Sequence, residues 1–127
     1  MKEVIKTNKA QVSAVPCSQG YRAGDFVFVS GTGPFDSQTG RLQGDTIEEQ
    51  TKQTLENIKD VLRVVSASME DVVKVSVLLS DADNFEPMNK VYKTFFHEPF
   101  PARICYGVAL MSPDMLVEID AVAYVGK

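Results

Sequence analysis

The stretch of residues 46–66 constrains the fold most, because its apolar residues recur at the spacing of one helical face. Those apolar residues are Ile47, Leu55, Ile58, Leu62 and Val65. Thr46 and Glu49 have the spacing of a capping box, which predicts that the helix begins beside Thr46. An amphipathic helix of this kind must cover its apolar stripe with a second layer of structure.

Segments with the character of β-strands supply that second layer. The predicted strands are residues 25–30, 73–79, 102–108 and 116–125, and a second helix is predicted for residues 83–96. Alternation in one strand places Val73 on the same face as Val75, Val77 and Leu79. The predicted order β, β, α, β, α, β, β describes a single α/β domain over residues 1–127, with both helices on one face of the sheet.

The charge balance bears on the class of partner. The chain has 13 basic and 17 acidic side chains, which give a formal net charge of −4. A general nucleic-acid binder needs a basic face to neutralise phosphates, so this balance argues against nucleic acid as a partner. The apolar runs are far shorter than the ~20 residues of a membrane span, and the N-terminus lacks the pattern of a signal peptide. We therefore expect a cytoplasmic protein without a membrane partner.

The rare reactive residues exclude several kinds of active site. The 2 cysteines, Cys17 and Cys105, are too far apart for a Cys-x-x-Cys pair or a four-cysteine zinc site. The 1 histidine, His97, excludes sites built on paired imidazoles, and it stands in a proline-rich segment that suits a catalytic triad poorly. An enzyme with this sequence would therefore work with Arg, Glu, Ser, Tyr, Cys or backbone groups and bound water.

Charged residues inside the last two predicted strands are the main candidates for chemistry. Strand alternation puts Arg103 and Cys105 on one face of their strand, and Glu118 and Asp120 on one face of the next. Such charges are costly when they are buried unpaired. One interpretation is structural: an ion pair between Arg103 and a carboxylate, or a solvated sheet face. The other is a cleft at a subunit interface, where Arg103 binds a carboxylate ligand and Glu118 holds a water.

Five segments of the chain, taken together, resemble the motifs of one known family. They are Val29-Ser30-Gly31, the helical segments 50–58 and 88–96, Pro101-Ala102-Arg103 with the following Cys105-Tyr106, and Val117-Glu118-Ile119. The family is that of the reactive intermediate deaminases (RidA/YjgF-like). The resemblance covers nearly the whole chain in order and without large gaps.

The resemblance implies a chorismate-mutase-like α/β fold with a mixed sheet, assembled as a homotrimer around a barrel of sheets with clefts between subunits. It also implies hydrolysis of 2-imino or 2-enamino acids to 2-oxo acids and ammonia, without a metal or an organic cofactor. Arg103 would clamp the substrate carboxylate, and Glu118 would orient or activate the attacking water. The residues that would line the substrate pocket are Ser30, Gly31, Cys17, Asn89 and Cys105.

The chain departs from that family at Cys17, where relatives with well-supported deaminase activity commonly carry Tyr. Two alternative functions therefore stay open. One is a trimeric module that binds carboxylate metabolites at Arg103 without turnover. The other is the ribonuclease or translation-inhibitor activity attributed to some relatives, against which the acidic charge balance argues. Cys105 is interpreted as a packing residue rather than a nucleophile, because no His or Lys lies near it in sequence.

Overall fold

The structure, a computed structural model, describes residues 1–10 and 14–126. The strands and α-helices of those residues are, in chain order, β1 (Lys2–Ile5), β2 (Gly20–Ala23), β3 (Phe26–Thr32), α1 (Ile47–Arg63), β4 (Val72–Leu79), α2 (Phe85–Phe95), β5 (Ala102–Gly107) and β6 (Val117–Tyr124). Single turns of 3₁₀ helix, Met69–Asp71 and Ala82–Asn84, precede β4 and α2. The α/β class predicted from the sequence is confirmed.

The strands form one mixed sheet in the order β1-β2-β3-β6-β4-β5. Neighbouring strands are antiparallel except β4 and β5, which are parallel and are joined through α2. A parallel pair needs such a crossover, because a tight turn can join only antiparallel strands. β5 consequently lies at one edge of the sheet, and β1 lies at the other.

Both helices lie on one face of the sheet, as predicted. α1 packs on β3 and β6, and α2 packs beside α1. The apolar stripe of α1 is buried with the inward side chains of β6, among them Val117 and Ile119. The capping box is present: the amide of Glu49 donates to the Thr46 hydroxyl at 3.1 Å, and the amide of Thr46 donates to the Glu49 carboxylate at 3.2 Å. We call the opposite side of the sheet the open face.

The structure corrects the prediction in three places. Three strands precede α1 rather than two, because β1 and β2 have four residues each, too few to show a clear alternation. Val73 points outward and is 45% exposed, because a register shift between Val72 and Lys74 turns Val72 inward instead. α1 ends at Arg63 rather than near residue 66, where Ser66 has a φ of 59°. None of the described helices is long and apolar enough to span a membrane.

Candidate functional site

Arg103 and Glu118 lie on opposite faces of the sheet. Glu118 is paired with Leu78 on β4, and it points toward the open face because its neighbours Val117 and Ile119 are buried under the helices. Arg103 is paired with Val75, which is fully buried on the helix side. The interpretation of Arg103 as the partner of a β6 carboxylate in an ion pair is therefore wrong for a single chain. Within the described residues, Arg103 forms no ion pair.

Glu118 lies in a cavity of about 560 Å³, which we call the Glu118 cleft. Cys17, Ser30 and Gly31 line the same cavity. The pairing of β3 with β6 shifts register between Val29 and Thr32, and this irregularity brings the backbone at Gly31 against the Glu118 carboxylate. A Cβ at Gly31 would overlap that carboxylate, so any other residue there would displace the Glu118 side chain from its present position.

Ser30 is held in place by hydrogen bonds on both sides. Its hydroxyl donates to the backbone carbonyl of Ser18, and its own carbonyl accepts from the Thr32 hydroxyl at 2.7 Å. The first bond ties β3 to the segment that carries Cys17, and the second lies within β3. The polar wall of the Glu118 cleft is thus formed by β3 and the segment that precedes β2, which are held together by the bond between Ser30 and Ser18.

The facing wall of the cleft is apolar and includes Phe35, Met111 and Met115. Two buried amides on α1 fix this wall. Asn57 donates from Nδ2 to the carbonyl of Phe35 at 2.8 Å and to that of Gly33 at 3.0 Å. Gln50 donates to the carbonyl of Asp114 at 3.0 Å and accepts from the amide of Leu116 at 2.8 Å. The loops after β3 and before β6 are therefore held at α1, and the cleft between them is largely preformed.

A second group of residues surrounds Arg103 on the helix side of the edge strand β5. Its Nη1 donates to Oδ1 of Asn89 on α2 at 2.8 Å. The guanidinium carbon lies 4.8 Å from the ring centroid of Tyr92 and 5.6 Å from that of Phe85. Cys105 is on the same side of β5, and burial raises the pKa of its thiol. We call these five residues the Arg103 site.

The electrostatics of the two groups differ. Burial raises the pKa of Glu118, and the neighbouring charge of Asp120 raises it further. A carboxylate in a cleft with a raised pKa is a stronger base than an ordinary one, which suits proton transfer to and from water. The planar guanidinium of Arg103 is instead suited to binding a carboxylate through two parallel hydrogen bonds. The described residues therefore combine a guanidinium that forms no ion pair among them with a basic carboxylate, on opposite faces of one sheet.

Comparison with known proteins assigns the chain to a family. A model of the family described as "Endoribonuclease L-PSP" matches residues 7–125. A RutC family protein of Pyrococcus abyssi is 46% identical over 123 residues, which cover 97% of each chain. Reactive Intermediate Deaminase A, chloroplastic, of Arabidopsis thaliana is 35% identical over 122 residues, which cover 96% of this chain and 65% of that relative. The chain belongs to the RidA/YjgF family.

Solved structures agree with that assignment. The crystal structure of Escherichia coli TdcF with bound serine is similar, with a TM-score of 0.89 and 34% identity, over 96% of this chain and 98% of that chain. The fold of the RidA/YjgF family, a mixed sheet with two helices on one face, is therefore the fold of this protein.

The residues that the RidA/YjgF resemblance assigned to one pocket form two groups in this chain. Cys17, Ser30, Gly31 and Glu118 line the Glu118 cleft. Arg103, Asn89 and Cys105 belong to the Arg103 site. In residues 1–10 and 14–126 no three His, Cys, Asp or Glu side chains are placed to hold a metal ion.

Four residues that hold these two sites in place, besides the apolar lining of the Glu118 cleft, were not predicted from the sequence. Gln50 and Asn57 are polar residues within the buried stripe of α1, and that position was a signal that they bond something specific. Phe85 and Tyr92 share a helical face with Asn89, and aromatic residues at that spacing are also typical of core packing. Only the contact with β5 shows that these rings face Arg103.

Proposed function

We propose that the protein is a hydrolytic deaminase that converts reactive 2-imino and 2-enamino acids to 2-oxo acids and ammonia, in clefts shared between the subunits of a homotrimer. The observation that carries this proposal is the separation of Arg103 from Glu118. Arg103 is suited to binding the substrate carboxylate, and Glu118 is suited to activating water. A single chain does not bring these two side chains together. The relative named Reactive Intermediate Deaminase A supports the type of reaction.

The open face supports assembly with further copies of the chain. It carries exposed apolar and aromatic side chains, namely Phe26, Phe28, Ile104, Tyr106 and Tyr124. Phe26, Phe28 and Tyr124 form an aromatic cluster on this face, and an exposed apolar patch of this kind marks an interaction site. In a closed ring of three copies, each copy uses the same two surfaces, so the edge strand β5 of one subunit can meet the Glu118 cleft of the next. That arrangement brings Arg103 to the cleft of its neighbour.

The proposed mechanism divides the work between the two subunits. Arg103 binds the substrate carboxylate through two parallel hydrogen bonds, which places the imine carbon beside Glu118 of the neighbouring subunit. Glu118 accepts a proton from water while the water oxygen bonds to the imine carbon and the C=N electron pair moves to nitrogen. Glu118 then returns the proton to nitrogen, which gives a carbinolamine. Glu118 next takes the proton of the carbinolamine hydroxyl and delivers it to nitrogen. The C–O bond becomes C=O as the C–N bond breaks, so ammonia leaves and a 2-oxo acid remains. An enamino acid first tautomerises to the imine.

The serine bound in TdcF is consistent with a ligand of this class. Serine and a 2-imino acid share a carboxylate next to a carbon that bears nitrogen, and a bidentate arginine recognises that carboxylate. The apolar wall of Phe35, Met111 and Met115 supplies a surface for the substrate side chain.

A coupled assay tests the reaction directly. An amino-acid oxidase or dehydratase generates 2-iminobutyrate in situ, and we expect the protein to accelerate its disappearance over spontaneous hydrolysis, because Glu118 and Arg103 orient water and substrate. Calorimetry measures the binding of 2-oxobutanoate by the same preparation. Binding of the 2-oxo acid without any acceleration would contradict the deaminase and favour a metabolite-binding module. Cleavage of single-stranded RNA by the same preparation would favour the ribonuclease instead.

Mixing two inactive variants tests the shared cleft. We expect Arg103→Ala and Glu118→Gln to be inactive alone and to regain activity when they are refolded together. In equal amounts, random mixing should restore about one quarter of wild-type activity, because about three-quarters of the trimers are mixed and each holds one intact cleft of three.

Light scattering of the same samples is the control for assembly. The expected mass is three times the 14.0 kDa of the chain. A monomer at micromolar concentration, or no regain of activity in a mixture that contains mixed trimers, would contradict the shared cleft.

A further inference from the structure

Arg103 lies in a cradle formed by three residues on one face of α2. Phe85, Asn89 and Tyr92 are spaced four and three residues apart, so they form a continuous row along the helix. That row faces the edge strand β5, and each of its members contacts Arg103. We propose that Phe85 and Tyr92 are positioning residues, which hold the Arg103 guanidinium by cation–π contact so that it remains available for a substrate carboxylate; this inference rests on the proposed function.

The cradle attracts a positive charge without neutralising it. A carboxylate partner would occupy the guanidinium fork and compete with a substrate, whereas the face of an aromatic ring attracts the cation and accepts none of its in-plane N–H groups. In the described part of the chain, Arg103 donates a hydrogen bond to Asn89 and forms no ion pair, and its charge and hydrogen bonding also act on the Tyr92 hydroxyl. Guanidinium has five N–H donors, so most of the fork stays open.

The two rings hold Arg103 in different ways. Tyr92 is 5% exposed and packs on Phe96 with ring centroids 4.6 Å apart, so it forms a rigid floor. Burial raises the pKa of Tyr92 to about 12, although the Arg103 charge opposes this shift, and the ring therefore stays neutral. Phe85 is 41% exposed at the beginning of α2, so it can be replaced without opening the core. Phe85 is consequently the better position for a test.

Phe85→Leu keeps an apolar side chain but removes the aromatic face. We expect the affinity for 2-oxobutanoate, measured by calorimetry, to fall by about 3- to 10-fold, which is the range of a partly exposed cation–π contact. The KM for 2-iminobutyrate should rise by a similar factor while kcat changes little, because the carboxylate is held equally in the ground and transition states. Phe85→Tyr, which keeps a ring, should restore most of the affinity.

Two controls separate positioning from other roles of Phe85. Phe95→Leu makes the same change on the same helix, at a ring that does not contact Arg103, and it should leave the affinity at the wild-type level. In an Arg103→Lys background, Phe85→Leu should have a much smaller effect, since the rings then have no guanidinium to position.

The outcomes keep the two proposals distinguishable. An equal affinity in Phe85→Leu and wild type, with wild-type binding intact, would overturn the cradle and leave the deaminase standing. If Phe85→Leu lowered the 2-oxobutanoate affinity by the same factor in the Arg103→Lys background as in wild type, the cradle would also be overturned, because Phe85 would then act on the ligand directly. Failure of the wild type to bind any 2-oxo acid would overturn the proposed function, and the cradle with it.

Discussion

Arg103→Ala is expected to abolish imine turnover and 2-oxo acid binding in a protein that stays folded and assembled. The guanidinium is the cation that the proposed mechanism assigns to the substrate carboxylate, and two charge-assisted hydrogen bonds are lost with it. Their loss should weaken the binding of 2-oxobutanoate by about 10²–10³-fold. The fold should survive, because Arg103 pairs with no carboxylate in the described residues, so its removal leaves no buried counter-charge behind.

Arg103→Lys tests whether Arg103 contributes more than its positive charge. It keeps the positive charge, but an ammonium cannot reproduce the planar fork, and we expect it to rescue binding and turnover poorly. Calorimetry and the imine assay measure both quantities, while circular dichroism and light scattering check the fold and the assembly. Full activity of Arg103→Lys would show that Arg103 supplies only charge. Unfolding of Arg103→Ala would show instead that its bond to Asn89 is structural.

The parts of the fold that the sequence predicted are those determined by local patterns. α1 follows from a 3.6-residue apolar repeat and a capping box, both of which are contained within its own residues. β1 and β2 are short, and only one residue of each is buried, so no local pattern distinguished them. The register shift at Val72 is likewise invisible in the strand itself, because it arises from pairing with the distant β6.

The position of Arg103 relative to Glu118 could not be predicted, because it also depends on the pairing of distant strands. Alternation places residues on the two faces of their own strand, but β5 and β6 are not neighbours, and β4 lies between them. Their relative orientation depends on two long-range registers, Val75 with Arg103 and Leu78 with Glu118. The family resemblance supplied the residue roles, whereas the structure supplied the fact that one chain keeps the two groups apart.

Glu118→Gln is expected to separate chemistry from binding. The substitution keeps the size of the side chain, so it fits under the Gly31 backbone, but it removes the charge and the basicity. Turnover of 2-iminobutyrate should fall by about 10²–10⁴-fold, the usual contribution of a general acid–base group, while 2-oxobutanoate binding stays near wild type. The variant should be at least as stable as wild type near neutral pH, because burial and Asp120 disfavour the charged form of Glu118 in the folded protein.

The pH dependence of turnover gives an independent measurement of the same role. The base must be ionised to accept a proton from water, so wild-type kcat/KM should decline as the pH falls through the pKa of Glu118. Because that pKa is raised above the ordinary value of 4.5, the decline should begin at a higher pH than an exposed glutamate would give. The residual activity of Glu118→Gln should lack this inflection. If Glu118→Gln had wild-type turnover, or kept the inflection, Glu118 would not be the base of the mechanism. If binding of 2-oxobutanoate fell together with turnover, Glu118 would instead be a structural support of the cleft.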